Sequence, residues 1–151
     1  MPDNLAQRLH IDYPILMAPM AGEAAKAPLV AAVSNAGGLG VLGAGYMSPD
    51  KLLATVAEIR ALTDRPFGVN LFVMEPGERD RAGVEAMSQA LARYHAELGL
   101  AAPALPASLE ENYHSQMEAV LAAGVPVFSF TFGVPSAQQM DALKGAGTCV
   151  M

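Results

Sequence analysis

Short apolar runs alternate with longer stretches in which apolar residues recur every three or four positions. Pro14–Met20 (PILMAPM) is a compact apolar run and reads as a buried strand. Leu29, Val30, Val33 and Ala36 then recur at helical spacing, with Pro28 suited to a first turn and Asn35 to Gly38 suited to the end. Gly37–Gly45 (GGLGVLGAG) is strand-like again. Ser48 as cap and Pro49 as first helical residue open a helix with Leu52, Leu53, Val56, Ile59 and Leu62 on one face. Pro66–Val73 (PFGVNLFV) is the next strand. A helix is predicted from about Asp80 to Leu98, with Gly99 as its stop. Ser108 and Glu111 have capping-box spacing for another helix, ended by Gly124. Pro126–Gly133 (PVFSFTFG) is a fourth strand, Ser136 and Gln139 cap a short helix ending at Gly145, and Thr148–Met151 (TCVM) begins a fifth strand.

Strand and helix in strict alternation imply a parallel sheet with right-handed crossovers. Residues 1–151 read as one domain, with Pro76–Ser108 an excursion between two strands. Two folds share this pattern. One is a five-stranded doubly wound sheet of the flavodoxin type. The other is the first half of a (β/α)8 TIM barrel, about four βα units plus the start of strand five. The end of the chain on a strand, with no closing helix after Met151, favours the half-barrel.

Gly38–Gly43 spells G-x-G-x-x-G, the dinucleotide-binding pattern. That pattern carries chemistry when it follows a strand and opens a helix, so that the helix N-terminus faces a pyrophosphate. Here it follows a helix and is itself the strand. Glu58 and Asp64 lie near the spacing of a ribose-binding acid, which coincidence covers. The glycines read instead as positions where the strand packs closely against a helix or ligand.

Composition narrows the class. The chain is 52% hydrophobic and 16% charged, which suits a buried sheet covered by helices. A net charge of −6 argues against nucleic acid or an anionic membrane as partner. There is no apolar run of membrane-spanning length and no basic-then-apolar start of a signal peptide, so a soluble cytoplasmic protein is expected. Cys149 alone offers neither an internal disulfide nor a metal cluster.

Four blocks, PILMAPMAG, AAVSNAGGLGVLGAGY, PFGVNLF and FSFTFGVP, follow one another with the spacing of one family. The chain resembles the N-terminal half of nitronate monooxygenases, formerly called 2-nitropropane dioxygenases. The resemblance implies an FMN enzyme on a (β/α)8 barrel. Such an enzyme oxidises alkyl nitronates, such as propionate 3-nitronate, with O2 to a carbonyl compound and nitrite, usually for toxin removal. It implies that Ala18, Pro19, Met20 and Ala21 line the flavin ring at the end of strand one. Asn70, a polar residue inside an apolar strand, would meet the ring's carbonyl and N–H edge, as its donor and acceptor suit. Without the family, the APMAG stretch reads as a strand-end turn, while Asn70 stays open between an amide that meets a ligand and one satisfied by neighbouring backbone.

Where many relatives carry histidine, this chain has Thr131, which is no base near neutral pH. Phe130 and Phe132 read as packing residues. His10, His95 and His114 lie at no predicted strand end and read as structural or solvent-facing. No residue up to Met151 is assigned as catalytic. The resemblance places the family's catalytic histidine, and its phosphate-binding glycines, in segments that would follow Met151. The chain alone is therefore expected to bind FMN poorly and turn over little. Two alternatives remain: an FMN-dependent enoyl reductase of the same fold, which shares similar blocks, and a non-catalytic half-barrel that self-associates through its sheet edges.

Overall fold

A computed structural model describes residues 4–20, 26–73, 80–104 and 110–151. The chain divides into two compact units, one of residues 1–75 with 110–151 and one of residues 76–109. The first holds α1 (Leu5–Leu9), α2 (Ala27–Asn35), β1 (Gly40–Gly43), α3 (Pro49–Leu62) and β2 (Phe67–Val73), then α5 (Glu110–Ala123), β3 (Val127–Phe132), α6 (Ala137–Gly145) and β4 (Cys149–Val150). The second holds α4 (Arg81–Glu97), opened by the Asp80 carboxylate and closed at Gly99 in the left-handed region.

The sheet is parallel throughout, in the order β1-β2-β3-β4. Each strand thus lies beside its predecessor in sequence. A flavodoxin-type sheet has a strand order that reverses at a switch point, so this order sets that alternative aside.

The strand predicted at Thr148–Met151 is shorter than expected. Its ladder pairs Cys149 with Val127 and Val150 with Phe128, and Met151 falls outside it. Met151 is still tied to the sheet, because its N–H donates to the Phe128 carbonyl at 2.9 Å. Its side chain is exposed and takes no part in either core.

Helix boundaries follow local chemistry. Ser48 Oγ accepts from the Lys51 N–H and Pro49 fills the first helical position of α3. Ser136 and Gln139 form a reciprocal capping box on α6. The proposed cap at Ser108 lies outside the described residues. Along β2, alternation sends Phe67, Val69, Leu71 and Val73 into a core shared with Val30, Leu52, Val56, Ile59, Met117 and Val120 from the helices. Leu53 and Leu62, assigned above to the buried face of α3, are instead largely exposed, because that face needs only a narrow apolar stripe. Gly68, Asn70 and Phe72 share the opposite face of β2.

The first predicted strand needs correction. Residues 14–20 run beside β1 but touch it through two isolated bridges, Leu16 to Leu39 and Met20 to Leu42. Four steps along one side span three along the other between those bridges, so the register slips. Pro19 has no N–H to restore it. The segment is held through Leu39 N–H to the Ile15 carbonyl and Met17 N–H to the Leu39 carbonyl, both at 2.9 Å.

α1 was not anticipated. Asn4 and Gln7 make a capping box that opens it, and it delivers Leu9 and Ile11 onto Leu39, Val41 and Val127. This second core fills the other sheet face at the start of the strands. The glycine run serves close approach. A Cβ at Gly40 would overlap the Val30 carbonyl oxygen, and one at Gly38 would stand 2.9 Å from the Ile15 carbonyl oxygen. α2 therefore lies directly on β1, with the Gly40 N–H donating to the buried Ser34 Oγ at 3.1 Å.

Two outcomes follow from this packing. Gly40→Ala must push α2 off β1, and a loss on the order of 2–3 kcal/mol is expected, read as a fall in the urea unfolding midpoint. An unchanged midpoint would contradict the close approach. Burial raises the Tyr113 phenol above its ordinary value, partly offset by its bond to Gln139 Oε1 at 3.1 Å. The stability linked to it is present below about pH 10 and is lost as pH rises through the raised folded value. Tyr113→Phe should flatten that alkaline slope in pH-dependent melting.

Candidate functional site

A central parallel strand is normally apolar from end to end. Asn70 in β2 breaks that rule while only 3% exposed. It faces Gly43 of β1 on one side and Ser129 of β3 on the other. Its Nδ2 donates to Ser129 Oγ at 2.9 Å and to Thr131 Oγ1 at 3.2 Å. The Thr131 hydroxyl reaches back toward Oδ1 at 3.4 Å, a long contact. The Asn70 backbone carbonyl accepts from the Ala44 N–H at 2.9 Å. Ser129 is buried and Thr131 is exposed, so the cluster is closed below and open above.

The loop leaving β1 is pinned from a distance. Gln116 on α5 is 2% exposed. Its Nε2 donates to the carbonyls of Met47 at 2.6 Å and Ala44 at 3.1 Å, with that of Gly45 at 3.4 Å. Two amide protons thus serve three carbonyls on both sides of Tyr46. Sequence reading missed Gln116, Ser129 and α1. A polar residue on the buried stripe of α5, next to Met117 and Val120, was the visible signal for the first.

The predicted ring-lining residues sit at the same end of the sheet. Ala18, Pro19 and Met20 are exposed. Met20 bridges Leu42, one position before the Gly43 that pairs with Asn70. Met20 and Asn70 are therefore separated by β1, about 10 Å at ordinary strand spacing. Ala21 lies outside the described residues. Phe130 is half-buried against the core as expected, whereas Phe132 stands exposed, because its backbone turns into the left-handed region at the strand end. His10 closes α1 and His114 lies exposed on α5 beside Tyr113; His95, in the second unit, has Nδ1 at the Ala101 carbonyl. Met151, through its N–H, meets the Phe128 carbonyl, one position before Ser129.

Among the described residues no group of three or more His, Cys, Asp or Glu is placed to hold a metal ion. Among them, too, no helix is long and apolar enough to cross a membrane. What the site offers is a buried amide with two hydroxyls, flanked by small and apolar residues. That donor set orients a planar polar group without itself supplying a base.

Comparison with known proteins adds the family. The model of the family described as nitronate monooxygenase matches residues 3–151. A probable nitronate monooxygenase of Staphylococcus haemolyticus is 44% identical over 144 residues, covering 95% of this chain and 40% of the relative. One from Staphylococcus aureus is 39% identical with the same coverage. Among solved structures, nitroalkane oxidase from Streptomyces ansochromogenes superposes with a TM-score of 0.85 at 37% identity, over 93% of this chain and 40% of that one. FabK from Thermotoga maritima superposes with a TM-score of 0.65 at 32% identity, over 96% of this chain and 35% of that one. The chain thus spans about 40% of the length of the curated relatives it matches.

Gln116→Leu keeps the volume and removes the donor from three carbonyls. The expected result is a loss of about 1–3 kcal/mol in stability. Amide exchange at Ala44 and Met47 should accelerate more than exchange in β2. Uniform protection across both would show that Gln116 does not hold the loop.

Proposed function

The chain belongs to the nitronate monooxygenase family, and on that footing we propose that it forms the opening half of an FMN-dependent (β/α)8 barrel that oxidises alkyl nitronates with O2. The products are a carbonyl compound and nitrite, with propionate 3-nitronate as the reference substrate and cytoplasmic detoxification as the implied role. The observation that carries the reading is the buried Asn70 amide at the middle of β2, level with the last residue of β1 and aimed with Thr131 toward the C-terminal end of a sequentially ordered parallel sheet. That is the end at which barrels of this kind place their chemistry.

The residues present fit a flavin. Among the described residues, Asn70 Oδ1 is met at 3.4 Å by the hydroxyl of Thr131, a residue exposed to solvent. Exposed Ala18, Pro19 and Met20 offer apolar surface on the far side of β1, with Ala21 assigned to the same stretch. The bound flavin would supply the capacity to accept electrons from the nitronate. Asn70 would bind and orient the polar edge of the ring through its amide, with Ser129 fixing which way that amide points. Thr131 would donate or accept a hydrogen bond but not remove a proton near neutral pH. No described residue of this cluster is assigned as the base or as a phosphate contact.

Two measurements test this. In the flavin-loaded full-length enzyme, adding propionate 3-nitronate should consume oxygen and release nitrite. Oxidation of NAD(P)H with an enoyl thioester, and no response to nitronates, would install the enoyl-reductase alternative instead. Asn70→Ala should weaken FMN binding about tenfold or more, equivalent to about 1.4 kcal/mol, with circular dichroism retained. Unchanged FMN affinity would remove Asn70 from the cofactor site.

A further inference from the structure

Three aromatic side chains gather at the mouth of this site, and the reading above gives them no role. Tyr46 leaves the β1–α3 loop and is 76% exposed; Phe132 ends β3 and is 78% exposed. Phe72 of β2 lies between them, its ring centroid 5.3 Å from that of Tyr46 and 5.1 Å from that of Phe132, in edge-to-face contact with both. Phe72 pairs in register with Thr131 and lies two residues beyond Asn70 on the same sheet face. The aromatic group therefore stands directly over the amide and hydroxyl cluster.

The arrangement is built at a cost. Phe132 has φ 78°, a conformation that a bulky L-residue rarely takes. Outside glycine, the other described residue with positive φ is His10, at a helix C-cap where this conformation is ordinary. The turn at Phe132 is locked by the Gly133 N–H donating to the Val73 carbonyl at 2.8 Å. The Tyr46 loop is locked by Gln116, and Gly45 lies so close to the Phe72 ring that a Cβ there would stand 2.5 Å from Cδ2. The strain would be relieved by a glycine at position 132. A strained strand end that holds a large aromatic ring against Phe72, beyond the polar cluster, points to a function for that ring.

We propose that Tyr46, Phe72 and Phe132 form an aromatic bracket that holds the apolar substituent of the substrate. The inference rests on the nitronate reading and narrows its substrate class. The planar anionic head would lie toward the Asn70 and Thr131 cluster, and an aryl or branched alkyl group would pack against the ring group. Edge-to-face packing rewards flat or bulky hydrocarbon surface and gives nothing to a methyl-sized group. The chain is thus assigned to nitronates with a large apolar substituent in preference to the smallest ones.

The test uses the flavin-loaded full-length enzyme and two readouts. In the first, the KM of the nitronate of phenylnitromethane is compared with that of ethyl nitronate. Tyr46→Ala and Phe132→Ala should each raise the aryl-to-ethyl KM ratio about tenfold, and Tyr46→Phe should restore it. An unmoved ratio overturns the proposal. The second readout needs no turnover: phenylacetate and acetate, whose carboxylates mimic the nitronate head, are titrated while the Tyr46 and Phe132 ring resonances are followed by NMR. Phenylacetate should shift both rings at concentrations where acetate does not. If neither nitronate is oxidised but phenylacetate still shifts the rings, the bracket stands and the nitronate reading falls. If the alanine variants lose bound flavin with no change in the KM ratio, the rings hold cofactor and the proposal falls. Phe132→Gly separates strain from function, since it should raise the denaturation midpoint while weakening phenylacetate binding.

Discussion

Asn70 ties three strands together at one end of the sheet. Its carbonyl receives the first N–H beyond β1, and its side chain reaches across to two hydroxyls on β3. A buried amide without such partners would cost about 1–3 kcal/mol, so its neighbours are constrained as tightly as it is. Ser129 must be small and must carry a hydroxyl. The strand ends are thereby fixed in relative height, which every statement about the site presupposes.

The sheet face carrying Asn70 is divided along its length. At the start of the strands it is apolar: Leu39, Val41 and Val127 are sealed by Leu9 and Ile11. Toward the strand ends it becomes polar and then aromatic, with Ser129 and Asn70 followed by Phe72 and Thr131. The other face stays apolar throughout and meets the helices. Stability and chemistry are thus assigned to different regions of one surface. Close approach of α2 at Gly40 lets the helix layer be tight enough to support strands that carry polar groups near their ends.

Local signals were legible and long-range ones were not. Ser48, Pro49, Ser136 and Gln139 mark helix starts because a cap is decided within four residues. Asn70 stood out because an amide in an apolar strand demands an explanation. Its partners did not stand out, since the register of parallel strands is set by crossovers that leave no imprint in either strand. Gln116 was hidden for the same reason: it serves carbonyls about 70 residues earlier in the chain. The Asn4–Gln7 capping box is local too, but the five-residue helix it opens is too short to leave an apolar period in the sequence. Pro14–Met20 has the hydrophobicity of a strand, but Pro19 and a slipped register deny it a ladder, and hydropathy does not report hydrogen bonds.

Phe132 shows why the last layer of the site escapes a reading by pattern. In FSFTFG it looks like one more apolar residue of an alternating strand. Alternation would send it to the core side with Phe128 and Phe130, and Phe130 does pack there. The strand instead ends one residue early in conformation: φ turns positive, the ring swings into edge contact with Phe72, and most of its surface meets solvent. A hydrophobic pattern records which residues avoid water on average over a fold. It does not record a residue that a strained backbone turns out of its alternation. Such a position is stable only because Gly133 and Val73 fix the chain on either side, so the strain is sustained by the sheet and expressed at the mouth of the site.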